Sequence, residues 1–245
     1  MNSLAIFEDE GWKQGSILLT GGRAQSVYFS GVHDVGSEIR VFLLGGDKGT
    51  AKVIRFGTDV IELELISREP SLKLRPIDLI VGLSRPQTTK KVIQAAVMAG
   101  VRSLHLVHLE SGQPSYLDSH LLRPEDLRQE IIKSLEQICE GLYPEIRVHR
   151  AFHRFIDEQS HLLSESPGKL RVVAHAGGGF SLSGLVSNGV PEAVIAVGSE
   201  GGWSSKELKK LDILGFERVG LGPRVVRVEV ALLYLLGQTI NITAT

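Results

Sequence analysis

The 245-residue chain has one cysteine, Cys139, so an internal disulfide is excluded. No stretch approaches the roughly 18 unbroken apolar residues of a membrane-spanning helix, which excludes a helical span and removes a membrane from the expected partners. The opening MNSLAIFEDEGW is acidic where a secretory leader is basic and then apolar, so the expected location is cytoplasmic. Charge of one sign is missing as well: 27 Lys and Arg against 28 Asp and Glu leave a net charge of -1, and nothing pulls the whole chain toward nucleic acid. Such a partner has to be held by a local patch. No glycine loop ends in Lys-Ser or Lys-Thr, and none reads G-x-G-x-x-G after a strand, which argues against ATP hydrolysis and dinucleotide binding. The eight histidines are scattered. His105 and His108 lie on a predicted strand with opposite outlook, and His149 and His153 share a predicted helix face; no acid or cysteine completes a ligand set, so no metal is expected.

The rest is ordinary for a globular protein, at 42% hydrophobic and 22% charged residues, with length for one large domain or two small ones. From Ser16 to about Ile66 short alternating segments, SILLT, SEIRVFLL, GTAKVIRFG and DVIELELI, predict a string of strands, with a glycine-rich hairpin at Gly45 to Gly49. A small β-barrel or sandwich fits this pattern. The stretch SREPSLKLRP, Ser67 to Pro76, reads as a linker, which divides the chain into residues 1–70 and 71–245. Beyond it strands alternate with helices: IDLIVGLS, TTKKVIQAAVMAG, VRSLHLVHL, a helix from Pro124 to about Glu140, LRVVAHAGGG, EAVIAVGSEGG, SSKELKKLDILG, FERVGLG and a helix from Pro223 to Leu236. That order predicts an α/β domain with a parallel sheet covered on both faces.

Three glycine-rich turns each follow a short apolar strand of this second part: Ala174 to Gly179, Gly198 to Gly202, and Gly220 to Pro223. One such turn alone is no more than a tight strand-to-helix connection. Three of them, at the carboxyl ends of parallel strands, predict a rim where backbone N–H and C=O groups approach a ligand closely.

The run VIAVGSEGGWSSKELKKLDILGFERVGLGPRVVRVEVALLYLL resembles the 16S ribosomal RNA uridine-N3 methyltransferases, the RsmE family of the knotted SPOUT class. Gly198 to Trp203 match the family's G-P-E-G-G-F, and Leu221 to Ala231 match L-G-P-R-I-L-R-T-E-T-A. The resemblance implies a PUA-like β-barrel that binds RNA, followed by a trefoil-knotted parallel-sheet domain acting as a homodimer. It also implies an S-adenosylmethionine site at the three turns, formed here by His175, Ala176, Gly177, Val197, Gly198, Glu200, Gly201, Gly202, Leu221, Gly222, Val226 and Val228. The implied reaction is methyl transfer to N3 of a uridine in 16S rRNA or the small ribosomal subunit. Arg227 and Glu229, which match the family's arginine and glutamate, are then candidates for catalysis, with a helix-surface ion pair or a dimer contact as the other reading of the same two residues. The last helix is apolar over most of its circumference, with Val225, Val228, Ala231, Leu232 and Leu235 at helical spacing, which suits burial in a core or between subunits.

The departures from the family fall on the side expected to hold RNA. Val32 and Asp34 stand where basic residues are usual, Glu140 replaces an arginine, and Val228 replaces a threonine. Arg85, Lys90 and Lys91 lie in a stretch without acids and are the candidate RNA contacts that remain. Two other readings stay open at this point: a diverged paralogue that binds the cofactor but acts on another RNA or only binds RNA, and an unrelated α/β nucleotide-binding enzyme.

Overall fold

The computed structural model describes residues 3–31, 34–159, 163, 168–179 and 192–239. The chain divides into two compact units, one formed by residues up to Lys73 together with Ile131–Tyr143, the other by Leu74–Glu130 and Pro144 onward. The segment 131–143, which the linker position assigns to the second part, therefore belongs with the first.

The first unit is a five-stranded sheet in the order β1-β3-β4-β5-β2, formed by β1 (Leu4–Ile6), β2 (Ser16–Thr20), β3 (Glu38–Leu43), β4 (Lys48–Phe56) and β5 (Val60–Glu69). β1 runs parallel to β3 and the other pairs are antiparallel. The alternation read from SILLT is realised: Ile17 and Leu19 are buried and their neighbours exposed, as period-two patterning requires of a sheet with one wet face. The sheet curls around Leu4, Ile6, Trp12, Val41, Ile61 and Leu63. Between β2 and β3, where strands alone were expected, lies a helix, α1 (Gly21–Ser30). Glu140 sits inside this unit, ion-paired with Lys48 and accepting a hydrogen bond from the Leu72 N–H at 2.9 Å. Asp34 is exposed, and its carbonyl accepts from the Ser37 hydroxyl at 2.7 Å. Val32 lies outside the described residues.

The linker is shorter than SREPSLKLRP, since β5 runs to Glu69 and β6 (Arg75–Gly82) begins the second unit. There β7 (Val101–Val107), β8 (Glu145–His149), β9 (Lys169–Ala174), β10 (Glu192–Val197) and β11 (Glu217–Val219) complete a parallel sheet in the order β11-β9-β10-β6-β7-β8. The crossovers include α2 (Pro86–Met98), α3 (Pro124–Ile138), α4 (Phe152–Glu158), α5 (Ser205–Ile213) and α6 (Val228–Gln238). α3 ends at Ile138 because Cys139 takes a left-handed backbone, φ 54°, which cannot continue a helix. α6 begins at Val228, not at Pro223, because Arg227 is extended, ψ 158°. No helix among the described residues is long and apolar enough to cross a membrane.

The central strands β6 and β10 read as near-continuous apolar runs, the signature of a sheet buried on both faces. Asp78 is the exception: it is 1% exposed, and its carboxylate accepts from Arg102 Nε at 3.0 Å and the Ser103 hydroxyl at 2.7 Å. From there a buried polar row crosses the sheet. Ser103 Oγ lies 3.2 Å from His105 Nε2, and His105 Nδ1 lies 3.0 Å from His149 Nε2. His149 is thus on a strand facing His105, and not on a helix beside His153.

Burial first, and His149 second, push the His105 imidazole down to about 4, whereas Asp78 and Glu145 pull weakly the other way. The folded value lies below the unfolded one of about 6.5, so the unfolded chain takes up the proton first. The contribution to stability is complete above about pH 6.5 and fades as the pH falls toward 4, by up to about 3 kcal/mol. Thermal unfolding between pH 4 and 7 should show this slope, and His105→Gln should flatten it; an equal slope in the variant would contradict the assignment.

Candidate active site

The rim is built by backbone contacts between turns. His175, directly after β9, donates its backbone N–H to the Val219 carbonyl of β11 at 3.0 Å, and Gly178 donates to the His175 carbonyl at 2.9 Å. A Cβ at Gly178 would run into the backbone of Val219 and Gly220, and one at Gly82, the last residue of β6, would run into the backbone of Gly198 and Ser199. Both close approaches require the missing side chain. The three turns therefore stand side by side at the carboxyl ends of β9, β10 and β11, with the end of β6 beneath the middle one.

The β10 turn is cross-braced. Val197 is buried at the end of the strand, and the Gly202 N–H donates to the Ser199 carbonyl at 2.9 Å. Ser111 Oγ lies 3.0 Å from Ser199 Oγ and donates to the Gly202 carbonyl at 2.7 Å. The sequence motif S-x-x-E at Ser204 to Glu207 forms a capping box, in which the Ser204 N–H donates to Glu207 Oε2 at 2.8 Å. The other oxygen of Glu207 accepts from the Glu110 N–H at 2.9 Å, so one buried carboxylate ties the turn to the loop after β7. The bracing roles of Ser111 and Gly82 and this second role of Glu207 are not readable from the sequence, because their partners are about 90 to 117 positions away.

Leu221, Gly222 and Val226 lie in the segment between β11 and α6, with Arg227 at its end and Val228 as the first helical residue. Gly222 has φ 96° and nothing within 4 Å of where a Cβ would stand, so the backbone there faces open space. Gly201 and Gly202 belong to the middle turn, while Ala176 and Gly177 follow His175, whose ring nitrogen accepts the Gly177 N–H at 3.1 Å. Val225, expected on a buried helix face, precedes the helix and is 96% exposed.

Glu229 is buried in the first turn of α6. Its Oε1 accepts from Lys91 Nζ of α2 at 3.1 Å, and its Oε2 is buried without a hydrogen-bond partner. Burial pushes this carboxyl up, but its own backbone N–H, Lys91 and Arg227 outweigh that and hold it below the ordinary range. Glu200 behaves alike. Burial raises it, and the N–H groups of Arg85 and Glu200 more than offset the rise.

The stretch without acids around α2 is not a bare basic strip. Arg85 meets Glu200 at 3.5 Å, Lys90 meets Glu130 at 2.9 Å, Lys91 meets Glu229, and Arg102 meets Asp78 and Glu192. The acids come from the β10 turn, α3, α6 and neighbouring strands, which a local charge count does not see. Arg85 and Lys91 thereby join the rim itself.

A sequence model described as an RNA methyltransferase domain matches residues 70–240. The chain is 28% identical over 236 residues to a "Ribosomal RNA small subunit methyltransferase E" of Treponema pallidum, covering 94% of this chain and 87% of that one. Among solved structures it is similar to a ribosomal RNA small subunit methyltransferase E from Neisseria gonorrhoeae bound to S-adenosyl methionine, with a TM-score of 0.75, 19% identity, and 96% and 95% of the two chains covered. A methyltransferase from Legionella pneumophila in complex with the same cofactor gives a TM-score of 0.70 at 20% identity, over 98% and 97%. Their fold, a PUA-like barrel before a SPOUT parallel-sheet domain, is the fold described above. With its curled and parallel sheets, its joined glycine turns and the match over 70–240, this chain belongs to the RNA methyltransferase family, as a member of the RsmE type.

Proposed function

We propose that the chain is an S-adenosylmethionine-dependent methyltransferase that modifies N3 of a uridine in 16S rRNA, working in the cytoplasm as a homodimer. The observation that carries this reading is the junction of the three turns with the Arg227, Glu229 and Lys91 cluster at the end of the third. The cofactor fits these residues because its recognition needs backbone at close range, and at Gly222 the backbone is open while at Gly82 and Gly178 no side chain intervenes. His175 to Gly177, Val197 to Gly202 except Ser199, Leu221, Gly222, Val226 and Val228 would hold it. When bound, it supplies an electrophilic methyl group on a sulfonium.

The chain's own task is then to orient the uridine and manage the charge as N3 loses its proton and gains the methyl group. Arg227, exposed at the lip, stabilises the negative charge that develops on the neighbouring carbonyl oxygens. Glu229, held ionised, is fit to receive a proton and not to give one. Homodimer formation accords with Val225, Leu233 and Tyr234, apolar groups left exposed on or next to α6.

Calorimetry should show S-adenosylmethionine binding, and methyl incorporation into small subunits from a strain lacking the modification should map to uridine N3. The result against it is a folded protein that binds no cofactor. A diverged paralogue with another RNA target is the second reading, favoured by Asp34 and by the ion pair that commits Glu140 to Lys48. Methylation of a different RNA would decide for it.

The RNA contacts give a further prediction. Neutralising Lys90 and Lys91 together should weaken binding about tenfold on every RNA sequence and lower the salt slope by roughly 1.5, because phosphate contacts position without reading bases. Filter binding across a salt series checks this, and a sequence-selective loss would contradict it.

A further inference from the structure

On the other side of the loop that braces the β10 turn, a cavity of about 520 Å³ opens among His108, Leu109, Phe152, Ile156, Lys206 and Lys210. Its volume is within the range of small-ligand sites. The floor is apolar: Leu109, Phe152 and Ile156 are buried, and the Phe152 ring stands edge-on to the Trp203 indole at 5.9 Å. His108 lines this cavity, and its Nε2, covered just beneath the surface, has no hydrogen-bond partner. Such an atom is costly unless a ligand or water answers it.

The charges at the mouth differ from those of α2. Lys206 and Lys210 are one helical turn apart on α5, and neither has an ion-pair partner among the described residues. Arg85, Lys90 and Lys91 all have one. Between the two lysines Glu207 is turned inward and bound to the Ser204 and Glu110 N–H groups. The cavity and the β10 turn thus share a wall. Glu110 and Asp157 are also among the lining residues.

An apolar floor, a ring nitrogen without a partner just beneath it and two cations a turn apart with no ion pair among the described residues match a heteroaromatic base carrying a phosphate. We propose that this cavity receives an unstacked nucleotide of the RNA substrate, a neighbour of the one methylated. The base lies on Phe152 with its edge toward His108, and the phosphate lies between Lys206 and Lys210. Glu110 and Asp157 accept from an exocyclic amine, which favours cytidine, adenosine or guanosine over uridine at this position. This rests on the reading that the chain acts on RNA.

The experiment titrates the protein, saturated with S-adenosylmethionine, with CMP, AMP, GMP and UMP by calorimetry. Saturable binding at or below about 1 mM is expected, weakest for UMP. Lys206→Ala with Lys210→Ala should weaken it on the order of tenfold, and the Arg pair should restore it. In methylation assays the alanine pair should raise KM for RNA by a similar factor, with kcat and cofactor affinity unchanged. Absence of saturable nucleotide binding, binding that the cofactor displaces, or an alanine pair with unaltered nucleotide affinity overturns the proposal. Should the protein methylate no RNA, the proposed activity fails, while the nucleotide titration still reads the cavity by itself.

Discussion

Alanine at Gly82 should abolish cofactor binding, by more than a hundredfold, in a protein that still folds. The added Cβ would lie within 3.0 Å of the backbone of Gly198 and Ser199 and of a Leu109 methyl group. A leucine side chain can turn aside, whereas backbone cannot, so the β10 turn has to move. Its other supports, the Ser111 hydrogen bonds and the Glu207 clamp, resist the movement, and overpacking of this kind costs about 1–3 kcal/mol. In a chain of this size that lowers Tm by roughly 2–10 °C, which leaves a folded protein to measure. A site that works through backbone position then loses its register. Gly222→Val supplies the contrast: no protein atom lies within 4 Å of the new Cβ, so its effect comes from the φ of 96° and from the ligand volume it fills. Both variants should lose binding in calorimetry, Gly82→Ala through displaced packing and Gly222→Val at the ligand. Parental affinity in folded Gly82→Ala would show that the turn's exact placement is immaterial.

These glycines also mark where sequence reading stops. The strands were legible because period-two alternation in DVIELELI and the apolar run of IDLIVGLS report on sheet faces locally. The turns were legible for the same reason, as glycines directly after such strands. What a glycine touches was not, since Gly82 and Ser199 are joined only by the parallel pairing of β6 with β10. The ion pairs failed similarly: Lys90 and Lys91 read as bare cations because Glu130 and Glu229 are 40 and 138 positions away. α1 leaves little trace in the sequence because its stretch opens on two glycines and its helical pattern is weak, and the last helix reads as starting at Pro223, an apt first helical residue, while the extended backbone of Arg227 is set by its surroundings. The His105 and His149 pair illustrates the point on a single strand edge, for only the β7 to β8 register brings these rings together.

Arg227→Ala should lower kcat by about 10² to 10³ with RNA and cofactor affinity within about threefold of the parent. The substitution is clean for a structural reason. Arg227 starts α6 through its backbone, its carbonyl accepting the Ala231 N–H at 2.8 Å, and this bond survives any side chain. The exposed guanidinium has no comparable part in packing, so a fall in turnover reports on the reacting base. A second readout follows from Glu229, whose carboxyl is held down in part by Arg227. In the parent this carboxyl is ionised through the neutral range, and if it takes part, the rate falls only where it gains a proton, below its ordinary value of 4.5. Removing Arg227 takes away one of the influences lowering it, so the acid limb should move upward in pH, and Arg227→Lys should restore the limb more fully than the rate, since a lysine keeps the charge but not the planar fork. Turnover and pH profile measured on the three proteins decide the matter: equal kcat for Arg227→Ala and the parent would make Arg227 a helix-starting residue and leave the charge on the uridine to be stabilised by Lys91.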